Sequence, residues 1–232
     1  MTENKSIESM PIETMPIENK QNDLSTRFSQ DDVEVEQRQR AYDGFFKLDR
    51  LRIKHKRFQH PQDLTISREL FVRGDAVGVL PYDPDHNLLA LIEQFRVGAL
   101  AQTEGPWCLE VVAGMVESGE SPQQVAEREL QEEANIVAKK LDYIGSYLSS
   151  PGGTDEKLHL FCAICDLRQA EGVFGLDSEG EDIRVRVFDA DKLLASLYTD
   201  GLIGDRAFNN AATLISLQWL YSQVLRVSEP SR

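Results

Sequence analysis

The chain has 232 residues, 41% of them hydrophobic, enough for one domain with an extension or for two small domains. A formal charge of −14 excludes non-specific binding to nucleic acid or to an anionic membrane surface, but not binding of a phosphorylated small molecule through an acid-bound divalent metal. Three cysteines, an odd and sparse set, point to reduced thiols and a cytoplasmic protein, and no apolar run approaches a membrane span or a signal-peptide core.

Residues 1–30 repeat IESMP, IETMP and IENK, with no aromatic before Phe28, and read as a disordered tail. Residues 31–75 form a strand region. FFKLDRLRIKHKRF and LTISRELFVRG (64–74) predict two strands around a QHPQD turn. Residues 76–226 make the main domain. AVGVLPYD (76–83) predicts an apolar strand that stops at Pro81, with DPDHN as a hairpin-like loop. LLALIEQFRVGAL predicts a strand ending near Arg96, and WCLEVVAGMV (107–116) one more.

A helix follows. Ser121 is a good N-cap, Pro122 suits the first helical position and Gln124 closes a capping box. At about 100° per residue, Val125, Ala126, Leu130 and Ala134 share one side. Glu129 and Glu133 project between Val125 and Ala126, at the edge of that buried face, and Glu132 lies just beyond Val125. Carboxylates so placed are costly unless something positive sits among them. Asn135 suits the left-handed turn that ends a helix.

Beyond it, LDYIGSYL predicts a strand before the loop SPGGT, and LHLFCAICDL another. Cys162 and Cys165 are three apart, on opposite faces of a strand, and read as ordinary strand cysteines. A polar loop spans 171–182. IRVRVFD predicts a short strand, ADKLLASLYTDG a helix closed by Gly201, and 209–225 a final packed helix. The order gives an α/β fold, with mixed strands between helices.

The stretch 114–136 carries the pattern G-x5-E-x7-R-E-L-x-E-E-x-N-I, with Gly114, Glu120, Arg128, Glu129, Leu130, Glu132, Glu133, Asn135 and Ile136 at its fixed positions. It resembles the Nudix box of hydrolases that act on nucleoside diphosphates linked to another group. Asn135 stands where the family has glycine. Glu129 and Glu133, four apart, can present two carboxylates to one metal site. Magnesium, or manganese, suits oxygen ligands. Arg128 and Glu120 fit a brace between loop and helix. Gly114 would let the backbone approach closely and leave the Ala113 carbonyl free as a ligand.

LFVRG, LIEQFRVGA, PW-x-LE-x-VAGM, SPGGT and EGEDIRV are similar to segments of the bacterial ADP-ribose pyrophosphatase family, over roughly 45–225. The resemblance implies a Nudix-type α-β-α sandwich with a mixed sheet. It also implies N-terminal antiparallel strands exchanged in a homodimer, serving dimerisation and the nucleotide pocket. The implied reaction is magnesium-dependent hydrolysis of ADP-ribose to AMP and ribose 5-phosphate.

It further implies that Glu129, Glu133, Glu181 and the Ala113 carbonyl hold metal. Glu179 would take the proton from the attacking water, with Glu132 as the alternative base. Arg96 would pair with a phosphate and Phe46, in the context F-K-L-D-R with Lys47, would stack on adenine. Arg68 and Arg73 would line the nucleotide pocket, and Met115, Ser150, Pro151, Gly152 and Glu156 would lie near the substrate. Two other readings stand beside it. One is a pyrophosphatase for a GDP- or UDP-sugar. The other is a non-catalytic Nudix sensor, which predicts lost box carboxylates or a fused DNA-binding module.

Overall fold

The computed structural model describes residues 24–176, 178, 180–197 and 208–228. The repeats of the tail and the expected helix stop at Gly201 lie outside them. The first unit is an antiparallel sheet of β1 (Val33–Asp43), β2 (Lys47–His55) and β3 (Leu64–Val72), in that order. The sequence announces β2 and β3 but not β1. All eleven residues of β1 are exposed, so no apolar face marks it. Its hold on β2 is partly ionic: Asp49, only 1% exposed, takes Arg38 at 2.5 Å and also Arg40.

The second unit is built on β4 (Asp75–Asp83), β5 (Leu88–Phe95), β6 (Trp107–Glu110), β7 (Val112–Met115), β8 (Lys140–Leu148), β9 (Lys157–Ile164), β10 (Gly172–Phe174) and β11 (Ile183–Asp189). Their order is β10-β11-β5-β4-β9-β8, with β6 on β5 and β7 on β4. Among the described strands only β4 and β9 pair in parallel, so the sheet is mixed. β4 and β5 pair at the Tyr82–Leu89 end and splay apart beyond it. β6 and β7 fill the resulting V, one lining each arm.

Three expectations need correction. The strand at 76–83 does not stop at Pro81. Its partner on one side changes there, from β7 up to Val79 to β5 from Tyr82. A missing N–H therefore breaks no ladder bond on that side. The strand expected over 107–116 is two strands. It breaks at Val111, whose N–H leaves the sheet for Thr213 Oγ1 at 3.0 Å. The loop 171–182 contains β10, which pairs with β11 through Val173 and Arg184.

Helix α1 (Pro122–Ala134) covers one face of the sheet. Its Val125, Ala126, Leu130 and Ala134 pack on Val77, Ile92, Phe161 and Val185. Helices α2 (Ala190–Ser196) and α3 (Ala211–Ser228) cover the other, over Leu80, Leu89 and Leu91. Full burial of each valine, leucine, isoleucine or phenylalanine side chain contributes about 1.5–3 kcal/mol. The result is the expected α-β-α sandwich with a mixed sheet. Cys108, Cys162 and Cys165 are buried free thiols, and burial pushes the last two up to about 12. Among the described residues no helix is long and apolar enough to cross a membrane.

Candidate active site

Helix α1 is set by its ends. Ser121 Oγ accepts the Gln124 N–H and Gln124 Oε1 accepts the Ser121 N–H, the reciprocal capping box expected. At the other end Asn135 takes φ 50°, and Ile136 N–H returns to Leu130 O at 2.9 Å. Between these stops the helix turns Glu129 and Glu133 into the protein, at 8% and 1% exposure. They sit deeper than the edge position that helical periodicity predicts. Gly114 accounts for the depth: a Cβ there would lie 1.8 Å from Glu129 Oε1. The missing side chain is the space Glu129 occupies.

Glu133 Oε2 accepts the Ala113 N–H at 2.9 Å. Glu129 meets Arg128 at 2.9 Å. Arg128 also binds Glu120 at 3.1 Å and Glu132 at 2.9 Å, tying the loop before the helix to its third turn. Burial pushes the Glu129 carboxyl up to about 7. Arg128 opposes this, while Glu132 and Glu181 add to it. Burial pushes Glu133 up to about 8, against the Ala113 N–H, with Glu129 and Glu181 adding to the rise and Arg96 opposing it. Two buried acids one turn apart, facing a third, form an oxygen-rich set in which Arg128, shared with Glu120 and Glu132, offsets only part of the charge. Such a set fits a hard divalent cation.

This electrostatic conflict predicts a pH response in the metal-free protein. Both acids have folded pKa values above their ordinary 4.5, so their protonated forms favour the fold. That contribution is complete below about pH 4.5 and lost as pH climbs through 7 and 8. In a chelating buffer the melting temperature is expected to fall on the order of 5 °C between pH 6 and pH 8.5. Added magnesium should remove most of the fall. A melting temperature that is flat or rises over this range would contradict the conflict.

Asp83, His86 and Asp166 also bring ligand atoms within 4.8 Å of one another. Both carboxylates are already engaged. Asp83 accepts the Asp85, His86 and Leu167 N–H groups and His86 Nδ1, and Asp166 pairs with Arg168. This cluster braces the β4–β5 hairpin. A groove lined by Tyr82, Cys162, Trp219 and Leu220 opens on the α3 side and holds none of the box carboxylates.

The other expected site residues fall into two groups. Arg96 follows β5, and its Nε donates to Glu110 Oε2 at 2.6 Å, near enough to Glu133 to lower its pKa. Glu181 Oε2 accepts the Leu176 N–H at 3.1 Å, and its charge reaches Glu129 and Glu133. Met115 ends β7, partly exposed. A second cluster gathers around Arg73. Its guanidinium lies 4.5 Å over the Phe46 ring and its Nε donates to Glu156 Oε1 at 2.6 Å. Phe71 meets Phe46 edge-on at 5.1 Å, and its N–H donates to Gly153 O at 2.8 Å, docking the loop of Ser150, Pro151 and Gly152 beside them.

Lys47 pairs with Val72 at the same end of the N-terminal sheet. Arg68 stands apart, opposite Leu51 and exposed, donating to the Ser67 carbonyl. Glu179 lies outside the described residues. Sequence reasoning missed Glu110, which orients Arg96, and Asp155, which accepts the backbone N–H groups of Arg73 and Gly74. The signal for Glu110 was present, since it sits in PW-x-LE. Asp155 gave none, because its partners lie 81 and 82 residues away.

Comparison with known proteins agrees with this geometry. The NUDIX domain model matches residues 72–208, more than half the chain. An ADP-ribose pyrophosphatase of Haemophilus influenzae is 43% identical over 83% of this chain and 88% of its own length. One of Escherichia coli strain K12 is 40% identical over 87% of this chain and 93% of its own. A crystal structure of an ADP compounds hydrolase superposes with a TM-score of 0.63 over 87% of this chain and 98% of its own, at 18% identity, and shows the shared fold. The carboxylates of α1, the glycine that makes room for one of them and these likenesses together show that the chain belongs to the Nudix hydrolases, in the family of bacterial ADP-ribose pyrophosphatases.

Proposed function

We propose that the chain hydrolyses the pyrophosphate of ADP-ribose to AMP and ribose 5-phosphate, with magnesium as its cation. The observation that carries the reading is the pair of buried carboxyls, Glu129 and Glu133, held one turn apart with their charge only partly offset, Glu129 in the space left by Gly114. The likeness to ADP-ribose pyrophosphatases supports the substrate. It runs over 201 residues, more than the core sheet and its helices supply, so it takes in the N-terminal sheet with Phe46 and Arg73.

In this reading Glu129, Glu133, Glu181 and the Ala113 carbonyl hold the cation. When bound there, it supplies charge neutralisation of the diphosphate and a more acidic water. Gly114 gives Glu129 its position. Arg128, neutralised by Glu120, Glu129 and Glu132, fixes the loop. Glu110 engages Arg96 Nε and leaves the terminal nitrogens of Arg96 for a phosphate oxygen. Glu179 takes a proton from the attacking water, a general-base contribution on the order of 10²–10⁴ in rate. Phe46, covered by Arg73, forms a platform for the nucleotide end. Lys47, Met115, Ser150, Pro151, Gly152 and Glu156 complete the substrate side, and Arg68 serves the pocket of a second copy.

A homodimer joined through residues 31–75 is part of the same reading. The N-terminal sheet leaves all of β1 exposed, along with Val33, Val35, Tyr42, Leu64 and Phe71. A cytoplasmic location accords with three buried, unpaired thiols.

The test is a panel of ADP-ribose, GDP-mannose and a UDP-sugar, with magnesium and with a chelator. ADP-ribose is expected to turn over fastest, giving AMP and ribose 5-phosphate one for one, and the chelator should abolish turnover. Rapid hydrolysis of GDP-mannose without that of ADP-ribose overturns the substrate. Silence on the whole panel overturns the enzyme in favour of a sensor.

A further inference from the structure

β3 ends at Val72 and β4 begins at Asp75, so only Arg73 and Gly74 join the N-terminal sheet to the core sheet. Both donate their backbone N–H to one atom, Asp155 Oδ1, at 2.7 and 3.2 Å. Two successive N–H groups converge on one oxygen because Gly74 takes φ +75°, and such a pair forms a small concavity for an anion. Neighbouring bonds grip the same joint: Phe71 N–H to Gly153 O, Arg73 Nε to Glu156 Oε1, and Asp75 Oδ2 to His159 Nε2 at 2.9 Å. Asp155 itself is exposed, so it supports no core.

We propose that Asp155 is a positioning residue for the substrate pocket. By fixing the two-residue joint, it sets where the Arg73–Phe46 platform stands relative to the 150–152 loop. The inference rests on the substrate side proposed above. Asp155 reaches the joint through the backbone and makes no contact with Glu129 or Glu133, so its influence falls on substrate binding and not on the chemical step. A carboxylate is not required; an oxygen at Oδ1 is.

Three full-length variants test this: Asp155→Ala, Asp155→Asn and Gly74→Ala. Each is assayed for KM and kcat with ADP-ribose and magnesium, and for the rate of trypsin cleavage after Arg73 in the absence of substrate. Asp155→Ala should raise KM about tenfold, with kcat nearly unchanged, and speed cleavage after Arg73. Asp155→Asn keeps the accepting oxygen and should restore both to near the parental values. Gly74→Ala has room for the methyl but strains the positive φ, and should reproduce the KM rise even if Asp155→Ala fails to fold. A parental KM in Gly74→Ala and in any folded Asp155→Ala, or a loss shared equally by kcat and KM, overturns the proposal. If the parent does not hydrolyse ADP-ribose, the functional reading fails, while the cleavage rates still decide whether Asp155 holds the joint.

Discussion

Glu133→Gln is expected to lower kcat on the order of a thousandfold while leaving the metal-free protein as stable as the parent, or more so. The two effects have opposite signs for one physical reason. Glu133 is 1% exposed, and burial raises its pKa to about 8. In the metal-free protein the charge is a liability above that pH. Glutamine is isosteric with the protonated acid, and its carbonyl oxygen can still accept the Ala113 N–H that Oε2 now takes. The Ala113 N–H keeps its acceptor, so the usual cost of removing a buried partner does not arise. With a cation the comparison reverses. A neutral amide gives up charge at the proposed site, where a cation would be worth several kcal/mol to the transition state, and each 1.36 kcal/mol is tenfold.

The measurement pairs steady-state kinetics with melting curves in chelator at pH 6 and pH 8.5. The variant should lose part of the melting-temperature fall expected of the parent and respond weakly to magnesium. Near-parental kcat removes Glu133 from the metal site. A large drop in melting temperature at pH 8.5 would mean that the carboxylate itself supports the fold.

The helical period told which residues α1 carries to one side, and capping chemistry told where it starts and stops. Neither could tell how deep Glu129 and Glu133 lie. Depth depends on what stands opposite, and Gly114 leaves a space there that only the packed fold reveals. The errors have the same origin. Pro81 reads as a stop because a local rule cannot see a strand exchanging one neighbour for another. The break between β6 and β7 is set at Val111 by Thr213, 102 residues further along the chain. β1 has no buried face, so periodicity had nothing to register. Local signals identified most strands and helices of the described residues, while partner choice, depth and the joint at Arg73 and Gly74 depend on residues distant in sequence.

Gly114→Ala is expected to cost activity on the order of a hundredfold while the protein still folds. The added Cβ would meet Glu129 at Oε1, Cδ and Cγ, at 1.8, 2.1 and 2.4 Å. Those distances cannot be tolerated, so something moves. The β7 backbone is held in register with β4 through Val77 and Gly78, and α1 is fixed by its caps and by the packing of Leu130. The Glu129 side chain is the softest of these neighbours and yields first. Forcing extra volume into a packed site costs about 1–3 kcal/mol, within what a domain of this size survives. The functional cost is larger, because misplacing a positioned group by about 1 Å can cost 10²-fold. Gly98→Ala is the control: a Cβ there meets nothing within 4 Å, and activity should stay near parental. If Gly114→Ala folds and keeps near-parental kcat, then Glu129 can leave its place without consequence. Its burial would then be a packing feature, and the metal site would have to be rebuilt around Glu133 and Glu181. If kcat falls as expected, the glycine that opens the box is explained by one steric fact: it is the space in which a catalytic carboxylate is kept.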